Sequence, residues 1–230
     1  MNWRSQTSAR LAFTLALIVA VATNVHAQAP AKPAAGGGAT PEETFKLAQA
    51  AAEKENWKGA VSHMTAESQE MFAGGLAFAG MMMQAFAELG GPDGAKDAKK
   101  IKDVLAKHGL TEAAMKKLEG DDSIKGPEEA IKKIVGPIKD RGAFIGDMLN
   151  AFKGTKGFKN ESPIAKEAKL KDVKIDGNTA KGKVEFEKDG KQTEEEIAFK
   201  KVGGKWLLDL TDALKKELGP GAGPGAKPLE

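Results

Sequence analysis

Apolar and polar positions along this chain change their period once. From Thr40 to about Lys153 the apolar residues recur every three to four positions, which is the spacing of helices. Thr40 can N-cap, Pro41 sits at the first helical position and Glu43 completes a capping box. A first helix is therefore predicted to run to about Lys54, with Phe45, Ala48 and Ala52 on one face. Trp57, Ala60, Val61 and Met64 fall at i, i+3, i+4, i+7 and predict a short second helix. Thr65 can cap a third, which carries the uncharged run "MFAGGLAFAGMMMQAFA" and stops at Gly90-Gly91-Pro92. Ile101, Val104, Leu105 and His108 mark a fourth helix closed by Gly109, and Leu110 to Leu118 a fifth. "GPEEAIKKIV" starts a sixth, Pro137 breaks or kinks the chain beyond it, and Phe144, Ile145, Met148, Leu149 and Phe152 mark the last.

From about Ala168 the period becomes two. "AKGKVEFE" places Ala180, Gly182, Val184 and Phe186 on one face and Lys181, Lys183, Glu185 and Glu187 on the other. "QTEEEIAFK" points Thr193, Glu195, Ile197 and Phe199 one way, and "KWLLDL" groups Trp206, Leu208 and Leu210. The intervening "DGN", "DG" and "GG" are hairpin turns. With "LKDVKI" in front, the region reads as a four-stranded antiparallel meander. Its one apolar face needs cover, which the preceding helices supply. The expected fold is α+β, N-terminal helices on one face of a C-terminal meander. Phe186, Ile197, Phe199, Trp206 and Leu208 should form the buried sheet face, packed on Phe45 and Trp57.

The flanks bear on where the protein works. Arg4 and Arg10 precede the apolar "LAFTLALIVAVATNV", and Val25-His26-Ala27 has small residues at the offsets for cleavage after Ala27. Residues 1–27 thus read as a secretory signal peptide, with a retained anchor helix as the alternative. The expected product is exported, periplasmic or secreted, without stable membrane insertion after cleavage. "QAPAKPAAGGGA" (28–39) reads as a disordered linker and 219–230 as a Gly/Pro tail. A single α+β domain is expected over 40–218, helical over 40–153 and sheet over 165–212.

Composition narrows the chemistry. There is no cysteine, which removes disulfides, thiol nucleophiles and thiolate metal sites, and no tyrosine. The net charge of +3 predicts no nucleic-acid surface.

Two segments carry a resemblance. "TPEETFKLAQAAAEKENWKGAVSHMTAES" resembles the opening helices of secreted nuclear-transport-factor-2-like (SnoaL-like) proteins. "VKIDGNTAKGKVEFEKDGKQTEEEIAFKKVGGKWLLDL" resembles their closing hairpins, which commonly end in a Gly-Lys-Trp strand. The helical middle region is longer than the family's. The resemblance implies a cone-like fold that hosts isomerases, dehydratases, cyclases and many non-enzymatic modules. Members that isomerise ketosteroids combine an aspartate base with a tyrosine oxyanion donor, which a chain without tyrosine lacks.

The remaining candidates are few. His63 falls at the edge of a packed face, where a solvated or capping role is expected, and Glu195 is the inward member of Glu194-Glu195-Glu196. These two are the candidate bases if the protein is an isomerase or hydrolyase acting on a small hydrophobic molecule. His108 suits the end of its helix, where the dipole favours positive charge. Arg141 can clamp an anion or pair with Asp140 or Asp147. No histidine spacing points to a metal, and no cofactor motif is present. The stretch Met71–Ala87 reads as a buried core helix, with a groove for an apolar occupant and a membrane segment as alternatives. As a groove it would use Met82, Met83, Phe86 and Trp57. The expected function is a non-enzymatic binding or interaction module for a small apolar ligand or another protein.

Overall fold

The computed structural model describes residues 36–85, 91–119, 124, 126–153, 155, 167–188 and 191–218. Their helices are α1 (Pro41–Glu53), α2 (Trp57–Ser62), α3 (Ala66–Ala85), α4 (Gly91–Lys107), α5 (Glu112–Glu119), α6 (Pro127–Val135), α7 (Arg141–Phe152) and α8 (Thr211–Leu218). The strands are β1 (Lys169–Asp176), β2 (Thr179–Lys188), β3 (Lys191–Val202) and β4 (Lys205–Asp209). The fold is α+β, with an antiparallel sheet in the order β1-β2-β3-β4 and helices packed against it.

The described residues fall into two compact units. One lies within Glu70–Asn160; the other joins residues up to Gln69 to those of Glu161–Glu217. Helix α3 passes from one to the other between Gln69 and Glu70.

In the sheet unit α1 lies against β4 and β1. Thr40 caps it by accepting from the Glu43 N–H at 3.1 Å, while the Glu43 carboxylate takes the Ala39 N–H at 2.6 Å. Phe45, Ala48 and Ala52 from α1 and Ala60, Val61 and Met64 around α2 are buried, as are Ala180, Val184, Ile197, Phe199, Trp206 and Leu208 from the sheet. On the opposite face Lys183 pairs with Glu194, Lys181 with Glu196 and Lys171 with Glu185. These exposed pairs keep that face wet and contribute little stability each. The β3–β4 turn is Gly203-Gly204, both at positive φ, which suits a tight hairpin.

Four expectations about this unit need correction. Phe186 is half-buried, because β4 pairs only with Ala198 to Val202 and leaves the far end of the β2–β3 hairpin without a fourth strand. Trp57 is half-buried as well. Leu207, which alternation points outward, is buried, and the main chain at Gly37 lies beside its side chain. That last contact shows that the expected linker ends before Ala39. Gly38 exchanges both backbone hydrogen bonds with Trp206, at 3.2 and 2.9 Å, and Gly36 and Gly38 are buried. Residues 36–39 form a strap along the outer edge of β4, an edge that would otherwise present unpaired N–H and C=O groups. Residues 28–35, the expected signal peptide and the Gly/Pro tail lie outside the described residues.

In the helical unit the first half of the uncharged run packs nearly all round. Met71, Phe72, Ala73, Leu76 and Ala77 are buried. So are Ile101 and Leu105 on α4, Ile131 and Ile134 on α6, and Phe144, Ile145 and Met148 on α7. α3 is described as far as Ala85, and Gly91-Pro92, expected to mark its stop, also starts α4, where proline is tolerated in the first turn. No helix among the described residues is long and apolar enough to cross a membrane.

Candidate functional site

His63 follows the last residue of α2 and closes it, its N–H donating to the Ala60 carbonyl at 3.2 Å. Its own carbonyl accepts from the Leu208 N–H at 2.8 Å, and the Thr65 N–H donates to the Leu208 carbonyl at 2.8 Å. The chain at 63–65 is therefore stitched to the outer edge of β4 next to the strap. The imidazole turns towards the strap, and Nδ1 accepts the Gly37 N–H at 2.9 Å. An N–H can donate only to a bare ring nitrogen, so the neutral ring carries its proton on Nε2. Partial burial, reinforced by the Lys205 ammonium, holds its pKa below the usual imidazole value.

Two residues further on lies a polar cluster that periodicity does not reveal. The Thr65 and Ser68 hydroxyls lie 2.7 Å apart, and those of Ser68 and Thr211 3.3 Å apart. Asp209 Oδ1 accepts from the Thr211 hydroxyl at 2.8 Å, from Ser68 at 3.3 Å and from Thr65 at 3.4 Å. Ser68 Oγ also takes the Leu210 N–H at 2.8 Å. Ser68 is fully buried. Buried polar groups need partners, and here each hydroxyl finds one while fixing the start of α3 to the β4–α8 junction. The sequence signals were a helix-capping Thr65-x-x-Ser68 and an Asp209-x-Thr211 turn.

Glu195 stands opposite Val184 on the inward face, as alternation requires, and is half-buried. It is not brought together with His63. His63 bonds to Leu208, Leu208 pairs with Phe199, and Glu195 lies four residues before Phe199 on β3. That amounts to roughly two strand spacings (~10 Å) across the sheet and ~13 Å along it.

In the helical unit Met82 and Met83 are half-buried on α3, with Phe78 and Met81 alike. Phe86 lies outside the described residues. Trp57 belongs to the sheet unit. His108 follows α4 directly and its Nε2 lies 2.7 Å from Asp147 Oδ2, which the Lys107 ammonium also reaches at 2.7 Å. The Phe144 ring meets the His108 imidazole edge-on at 5.3 Å. Asp147 is pulled two ways. Burial raises its pKa, but the hydrogen bonds from Lys107 and His108, with their charges, bring it below the usual carboxylate value. Arg141 Nη2 donates to Glu70 at 2.8 Å, and Asp147 is taken up by Lys107 and His108. Among the described residues no three His, Asp or Glu side chains are grouped to hold a metal ion.

Comparison with known protein families, with curated proteins and with solved structures finds no match to this chain.

Proposed function

We propose that this protein is an exported, non-enzymatic binding module whose occupant is apolar, a small ligand or the side chains of another protein. The observation that carries this reading is the contrast within α3. Residues 71–77 are nearly all buried, whereas Phe78, Met81, Met82 and Met83 are half-buried on an uncharged stretch. Methionine is flexible and polarisable, and suits a surface that must adapt to an apolar partner. The places of His63 and Glu195 support the non-enzymatic side. The imidazole holds a backbone N–H through Nδ1, and the carboxylate lies well away across the sheet. Export rests on the charged, apolar and small-residue succession over 1–27. The α1–α2 opening and the closing meander support kinship with secreted nuclear-transport-factor-2-like proteins as part of the same proposal.

The test compares two charge insertions on one helix. Leu76→Asp places an unpaired carboxylate in a fully buried site and should cost several kcal/mol in chemical unfolding. Met83→Asp should cost about 1 kcal/mol or less, because its carboxylate can reach water, yet abolish the fluorescence gain of an anilinonaphthalene sulfonate dye. Dye binding that survives Met83→Asp would remove the methionine surface from the proposal.

A further inference from the structure

The strap and His63 together form a device that the binding reading does not require. Gly36 to Ala39 lie against β4 as a single bridge, with Gly38 and Trp206 exchanging both backbone hydrogen bonds. The glycines fit with no room to spare. A Cβ at Gly36 would stand 2.3 Å from the Ser62 carbonyl oxygen, and one at Gly38 would stand 2.8 Å from the Thr44 nitrogen. Gly37 has φ +93°, a conformation that side chains disfavour. Among the described residues the strap meets an imidazole through one bond, Gly37 N–H to His63 Nδ1, at 2.9 Å.

We propose that His63 is a proton-operated latch: uptake of one proton on Nδ1 releases the Gly36–Ala39 strap from the outer edge of β4. The proton comes from solvent and forms a second ring N–H. Both ring nitrogens are then donors, and the Gly37 N–H faces a donor where it had an acceptor. The charged groups around the ring favour the same outcome. The strap brings none. β4 brings Lys205, whose ammonium repels an imidazolium; the Glu43 carboxylate of α1 is engaged with the Ala39 N–H at the far end of the strap. The sign follows from the direction of the shift. A histidine whose folded pKa lies below its unfolded value stabilises the closed form above about pH 6.5, and that stabilisation fades as pH falls through the lower folded pKa.

Opening is confined to one half of the edge. The bonds from Leu208 N–H to the His63 carbonyl and from Thr65 N–H to the Leu208 carbonyl belong to a three-residue link held between α2 and α3, so they stay in place in both protonation states. Thr44 Oγ1, which accepts the Gly38 N–H at 3.0 Å in the closed form, continues to donate to the Trp206 carbonyl at 2.8 Å, while the Trp206 N–H loses its partner. The released edge is therefore one N–H wide, flanked by a freed glycine segment.

Amide hydrogen exchange followed by NMR on the purified protein between about pH 8 and pH 5 tests this, with the His63 ring titrated in the same samples. After correction for intrinsic exchange, the opening of Gly37 and Gly38 should rise by up to about tenfold per pH unit between the ordinary imidazole pKa and that of His63, then level off. Thr65 and Leu208 should stay protected throughout. His63→Asn places a non-titrating oxygen near the Nδ1 position and should make Gly37 and Gly38 protection independent of pH. Glu43→Gln should retain the wild-type dependence. If His63 titrates while Gly37 and Gly38 protection stays constant, the latch is overturned, and this comparison stands even if His63→Asn fails to fold. Unchanged pH dependence in a folded His63→Asn overturns it as well.

Discussion

Glycine-rich stretches lie in both units, and the two use glycine against different neighbours. In the strap, Gly36 and Gly38 sit against main chain, the Ser62 carbonyl and the Thr44 nitrogen. On α3, Gly74 sits against the Ile131 side chain, whose Cγ2 would be 2.5 Å from an added Cβ, and Gly80 sits against Met148 and Ile101. Helix backbone such as Ser62 and Thr44 cannot yield without breaking helical hydrogen bonds, whereas an isoleucine or methionine can change rotamer or be trimmed. The strap is therefore the less forgiving of the two, although its sequence looks like flexible linker.

The largest effect expected on this comparison comes from the residue to which the strap is bonded. Trp206→Ala removes a buried ring but keeps the backbone that pairs with Gly38, and should cost roughly 3–5 kcal/mol in chemical unfolding. A loss below about 1 kcal/mol would mean that the ring is not part of the core. Next comes Gly36→Ala, expected to detach the strap and forfeit about three hydrogen bonds, roughly 2–3 kcal/mol at ~1 kcal/mol each. The smallest is Gly74→Ala, about 1 kcal/mol at the low end of overpacking, with much of it recovered by adding Ile131→Val. If a neighbouring side chain can be found that rescues Gly36→Ala as fully as Ile131→Val rescues Gly74→Ala, the distinction between main-chain and side-chain neighbours fails.

These differences also mark how far the sequence could be read. Helix positions followed from local rules, so α1 begins at the Thr40-Pro41 cap and α7 carries the Phe144-Ile145-Met148 stripe. The meander and its inward face followed from alternation, since each β position is set by its immediate neighbours. What stayed hidden depends on distant partners. The strap needs β4, which lies far along the chain, and without that partner "AGGGA" carries only a linker's composition. Phe186 alternates correctly but lacks a neighbouring strand, and strand length is not encoded in alternation. Arg141 pairs with Glu70, 71 residues back in the chain, because helix packing brings the two together. Of the candidate site, His63 was visible as a histidine at a helix edge, but its bond to Gly37 was not. The half-burial of Met82 and Met83 within an otherwise apolar run left no periodic trace, since α3 is apolar on every side over Met71–Met83.

The binding proposal meets its most direct test in the methionine methyl signals of the protein labelled with ¹³C at the ε-methyl, titrated with a medium-chain fatty acid as the apolar probe. Met71 and Met148 are buried in the same unit and serve as internal references. The Met81, Met82 and Met83 signals should move together and saturate while Met71 and Met148 stay in place. Signals of Met81 to Met83 that remain fixed while the probe binds elsewhere would contradict it.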